Sequence, residues 1–86
     1  MTLRLRTEDL EWREIDHEIV VLDSRDAHYL TLNGSGALLW RMLAVSATRH
    51  DLVVALLDAY DVDKETAASD TDAFLDLLAD HGLLEP

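Results

Sequence analysis

The hydrophobic spacing along this chain changes period once, at Asn33. Before it, "LEWREI" (10–15), "IVVLD" (19–23) and "HYLTL" (28–32) are short runs rich in β-branched and aromatic residues, the composition of strands. The polar stretches between them, "DHE" and "SRDA", are short enough for hairpins. After Asn33, apolar groups recur every three or four residues, the spacing of helices. Strands grouped before helices, rather than alternating with them, imply an α+β fold. The expected order is a three-stranded antiparallel meander followed by three helices. The unbroken apolar run Ile19–Leu22 suits the central strand, which leaves 28–32 at an edge.

Each helix carries its own boundary signals. "SGALLWRML" from Ser35 is apolar nearly all round, so the first helix should be deeply buried. Asn33 or Ser35 is expected to cap it, with Gly34 and Gly36 turning the chain. Thr48 and Asp51 have the spacing of a capping box, after which Leu52, Val53, Leu56, Leu57 and Tyr60 fall on one face. A third helix is predicted over 64–81 with Asp63 as N-cap, and Ser69 is a rival start. Gly82 should stop it in the left-handed conformation, with Leu83 folding back onto Leu78. Residues 1–9 alternate Leu3 and Leu5 with Arg4 and Arg6, which suits either a short extra strand or a frayed terminus. With no repeat, low-complexity tract or linker, residues 1–86 are expected to form a single domain.

Charge and composition narrow the function. The 86 residues include no cysteine, which leaves neither a disulfide framework nor a thiolate zinc site. No apolar run approaches the roughly 20 residues of a membrane span, and no signal-peptide core is present, so a cytoplasmic protein is expected. The formal charge is −11, and from Asp58 onward nine acids face one base, Lys64. Such a surface repels phosphate backbones and attracts basic partners. A winged-helix DNA regulator, which needs a basic reading helix, is therefore disfavoured.

Nothing in the chain reads as catalytic. His17, His28, His50 and His81 include no pair at the i, i+4 spacing of a helical metal site. "NGSG" (33–36) lacks the patterns of phosphate-binding loops. Asp70, Asp72, Asp76 and Asp80 suit a solvated helix face better than an acid–base set. No catalytic residue, metal or cofactor is expected.

Two features point instead to binding. In the last helix Ala67, Thr71, Phe74 and Leu78 form the core stripe, whereas Leu77 lies about 90° away beside Asp70, Ala73 and His81. That arrangement resembles a groove wall, although on spacing alone a widened core face is the simpler reading. In the third strand His28, Leu30 and Leu32 share one face, while Tyr29 and Thr31 share the other. This edge has neither lysine nor proline to blunt it, and it is open to strand addition by another chain.

The ordered set of Trp12, "DHE", "VVLD", "HYLTLNGSGALLW", "DLVVALLDAYDVD" and "FLDLLADHGLLE" resembles the PqqD-like proteins. These are the recognition elements that bind leader peptides during maturation of ribosomally made natural products (RiPPs). The resemblance runs from about residue 10 to the end and is most specific at "HYLTLNGSGALLW". It implies a winged helix-turn-helix-like fold, and a leader that adds as an antiparallel strand to the third strand and lies against the third helix. Carried onto this chain, the peptide-binding residues are Ala27, His28, Tyr29, Leu30 and Thr31, with Asp70, Ala73, Phe74, Leu77 and Asp80 on the helix. The excess acid predicts a leader carrying Lys or Arg near apolar anchors. A short chain of this kind most resembles the stand-alone leader-binding subunit of a lasso-peptide system, which delivers the leader to a separate cysteine-protease subunit. The nearest alternative is a pyrroloquinoline quinone-type chaperone for a radical enzyme; a protein–protein adaptor is a rival from another class.

Overall fold

The computed structural model describes residues 1–85. Strands β1 (Leu10–Ile15), β2 (Glu18–Asp23) and β3 (His28–Leu32) form an antiparallel sheet in the order β1-β2-β3. Helices α1 (Gly34–Val45), α2 (Arg49–Ala59) and α3 (Lys64–Asp80) follow. The fold is the small α+β domain expected, with β2 at the centre of the sheet.

Turn chemistry sets the register. Ile15 pairs with Glu18, leaving Asp16 and His17 as a two-residue turn with φ of 51° and 71°. Two left-handed residues match the twist of a tight hairpin. At the other hairpin Asp23 pairs with His28, and the Asp23 carboxylate accepts the Arg25 backbone N–H at 3.1 Å. Directly paired residues share a face. Trp12 and Glu14, Ile19, Val21 and Asp23, and Leu30 and Leu32 therefore face the helices, while Leu22, Tyr29 and Thr31 face outward.

The helices close over that inner face. Trp40 and Leu43 of α1 are fully buried with Ile19, Val21, Leu52 and Leu78. Each such side chain contributes about 1.5–3 kcal/mol on leaving water. Trp12 meets Trp40 edge-on, with ring centroids 6.2 Å apart. Both halves of the Thr48–Asp51 capping box are made, each at 3.0 Å, and Asp63 Oδ1 caps α3 by accepting the Thr66 N–H at 2.7 Å. Ser69 lies inside α3, so the later start does not occur. At the far end Leu83 donates to Leu78 O at 2.9 Å and Gly82 to Ala79 O at 3.0 Å, with Gly82 at φ 67°. These are the two bonds of a Schellman stop.

Two expectations are corrected. Asn33 is the N-cap of α1 by backbone conformation, yet its side chain makes no capping bond; Gly34, at φ 54°, turns the chain into the helix instead. Tyr60 leaves the buried face of α2 and is exposed at its C-cap. The amino-terminal segment, for its part, is tied down. Leu3 and Ala47 exchange backbone bonds of 2.7 and 2.9 Å, Leu5 donates to Leu43 O, and Arg6 donates to Leu83 O. Leu5 enters the core, and its burial is what a frayed terminus would forgo.

Candidate functional site

β3 meets β2 along one side only. Among the described residues no other strand pairs with β3, and the two isolated bridges, Leu3 with Ala47 and Leu5 with Leu84, lie elsewhere. In an antiparallel ladder alternate residues send N–H and C=O away from the partner, so β3 presents an open row of donors and acceptors. Its five residues span about 17 Å. Tyr29, 69% exposed, and Thr31 stand on the outer face, whereas Leu30 is half-buried and Leu32 buried against the helices.

An apolar groove of about 410 Å³ opens beside the end of this strand. Asp70, Ala73, Phe74 and Leu77 of α3 line one wall, and Ser35, Gly36 and Leu39 of α1 with Leu56 of α2 complete it. Gly36 connects the groove to the strand: a Cβ there would lie 3.5 Å from Leu32 and 3.6 Å from Phe74. Leu77 is 42% exposed while Leu78 is fully buried, so of the two readings of its helical position the exposed one fits the packing. It lines the groove with Asp70, Ala73 and Phe74.

At the opposite end of β3 the rings of His28 and His81 stack, 5.2 Å apart and 17° from parallel. The space between β3 and α3 is thus bounded by this pair at one end and by Leu32, Gly36 and Phe74 at the other. Of the residues expected at the site, Asp70, Ala73, Phe74 and Leu77 line the groove, His28, Tyr29, Leu30 and Thr31 form the strand edge outside it, and Ala27 and Asp80 belong to neither. Ala27 is an exposed left-handed turn residue (φ 51°) just before β3, and Asp80 is exposed on the last turn of α3. Ser35, Gly36, Leu39, Leu56 and His81 escaped the sequence reading of the site. For Gly36 a signal existed, since a glycine in an otherwise apolar helix often marks close approach of another chain segment.

Larger depressions lie on the outer sheet face, around Glu11, Leu22 and Tyr29, and between α1 and α2, around Met42 and Val54. The smaller groove is the candidate because α3 lines it and Gly36 brings it against Leu32 at the end of β3. Charge adds to that adjacency. Arg49 forms a two-pronged bond to Asp72 at 2.6 and 2.9 Å, which holds the Asp72 carboxyl below its ordinary range and turns it toward α2. Asp70, on the groove, makes no ion pair among the described residues. Among those residues no three histidine or acidic side chains gather as metal ligands. No helix among them is long and apolar enough to cross a membrane.

The family described as coenzyme PQQ synthesis protein D (PqqD) matches residues 18–84. The chain belongs to the PqqD family. No curated protein matches it. The solved structure of TbiB1 in complex with the TbiA(beta) leader peptide is 29% identical, with a TM-score of 0.87 over 95% of this chain and 94% of that one. A lasso peptide synthetase B1 complexed with its leader peptide is 28% identical, with a TM-score of 0.85 over 98% of each chain. This PqqD-family domain therefore shares its whole architecture, including the three strands and the last helix, with both.

Proposed function

We propose that this PqqD-family chain recognises the leader segment of a ribosomal precursor peptide and does no chemistry on it. The leader adds antiparallel to β3, over Ala27–Thr31, and sets alternate side chains against Asp70, Ala73, Phe74 and Leu77, with Asp80 at the far end of the helix wall. The observation that carries this reading is the open edge of β3 beside an apolar groove. Both similar solved structures are of proteins bound to leader peptides, which supports it. Backbone bonds choose little among sequences, so specificity comes from apolar anchors entering the groove and from Lys or Arg drawn to Asp70 and its acidic neighbours.

The lasso peptide synthetase B1 likeness favours delivery of the leader to a separate cysteine-protease subunit, in the cytoplasm, over service to a radical enzyme. A DNA-binding reading has little support, because α3 carries one base, Lys64, among its acids. The test is a titration of the synthetic leader of the precursor encoded beside this chain's gene. One-to-one binding is expected, and Leu77→Asp should abolish it while the circular dichroism spectrum stays native. Unfolding of that variant would return Leu77 to the core, and failure of the wild-type chain to bind would remove the reading altogether.

A further inference from the structure

The site is framed from outside by a residue of the amino-terminal segment. Arg6 is 8% exposed and Asp23 4%, and they form the single buried ion pair among the described residues, at 2.5 Å. The Arg6 guanidinium has three acceptors. Nη2 donates to Asp23 Oδ1, Nη1 to the Gly82 carbonyl at 2.7 Å, and Nε to the Glu8 carbonyl at 2.9 Å. Burial works to raise the Asp23 carboxyl, but the bonds from Arg6 and from the Arg25 backbone outweigh it and keep it below its ordinary range. Asp23 is thus a carboxylate at neutral pH, facing the Arg6 guanidinium.

What those acceptors belong to gives the pair a role. Asp23 ends β2 and pairs directly with His28, the first residue of β3. Gly82 follows His81, the C-cap of α3. His81 stacks on His28. Arg6, Asp23, His28, His81 and Gly82 therefore close a ring that joins the start of β3 to the end of α3. We infer that Arg6 is a positioning residue for peptide binding, a brace that fixes the separation of β3 and α3 at the end opposite Leu32, Gly36 and Phe74. This inference rests on the leader-binding reading and adds a direction to it. A strand antiparallel to β3 starts near Leu32 and Phe74 and leaves past His28 and His81. The braced end is the end from which the rest of the precursor emerges, and it governs how firmly the last leader residues are held before they reach an enzyme. Pre-forming both walls removes the ordering cost that a looser groove would charge against affinity.

Arg6→Lys tests this, because an ammonium keeps the charge opposite Asp23 but cannot supply a planar fork to three acceptors. Should that variant fail to fold, Arg6→Met with Asp23→Asn removes both charges together, leaves no unpaired buried charge, and keeps an acceptor for the Arg25 N–H. Affinity is measured for the synthetic leader encoded beside the gene and for the same peptide shortened at its carboxyl-terminal end. The expected result is a folded variant that binds the full leader about tenfold more weakly and the shortened one as the wild type does. Free-state amide shifts should concentrate at residues 28–29 and 81–82. A folded variant with wild-type affinity for the full leader overturns the inference, as does an equal loss for both peptides, which marks a general loss of structure. If neither variant folds, Arg6 supports the domain rather than the groove, and the inference fails again. A wild-type chain that ignores both peptides instead rejects leader binding itself.

Discussion

At the scale of single residues, short polar groups at element ends do most to set the geometry. Asp51 and Asp63 are each held below the usual aspartate range, first by the backbone N–H that each carboxylate accepts, from Thr48 and from Thr66 respectively. A carboxyl whose folded value is depressed stabilises the fold above its unfolded value, about 3.9, and that contribution is lost as pH falls through the folded value. Stability to urea should be flat from neutrality to about pH 5 and should decline below about pH 4. Asp63→Asn, which still caps but cannot titrate, should show a shallower decline. An identical decline would remove the Asp63 cap from the account. Leu77 teaches a related lesson about sequence. Its angle on the helix could be computed from the chain, but only the exposure of Leu77 against the full burial of Leu78 distinguishes a wall from a core.

Among the elements, those specified by neighbours in sequence were legible and those specified by distant partners were not. The three strands, the Thr48–Asp51 box, the Asp63 cap and the Gly82 stop each depend on residues within a few positions of one another. The tie-down of Leu3 and Leu5 depends on Ala47, Leu43 and Leu84, and the His28–His81 stack joins residues far apart in sequence. No local period encodes such pairings. Gly36 lies between the two cases, visible as an oddity but interpretable only once Leu32 and Phe74 flank it. Because a Cβ there would make ordinary contacts at 3.5 and 3.6 Å in a helical conformation, Gly36→Ala should raise stability by about 0.4–1 kcal/mol. The added methyl group also narrows the groove beside Phe74, so leader affinity should fall as stability rises. Thermal melts and titrations on the same variant check both signs; a variant that gains stability and loses no affinity would move the leader's anchor away from Gly36.

For the molecule as a whole, charge decides how partners arrive. A formal charge of −11, with Asp70 on the groove, sets up a field that speeds the approach of a basic leader and fades with salt. Raising salt from about 0.05 to 0.5 M, which cuts the screening length several-fold, should slow association markedly and leave dissociation nearly unchanged. Stopped-flow measurement separates the two rates. Salt-independent association would mean that the leader is apolar alone and that the acidity serves solubility.

Backbone amide exchange tests that arrangement most directly. In the free protein the outward-pointing amides of β3 should exchange quickly, and saturation with the leader peptide should protect them while shifting the resonances of 73–77. Protection confined to α3, or to the outer sheet face around Leu22 and Tyr29, with the β3 edge still exchanging at its free rate, would contradict strand addition.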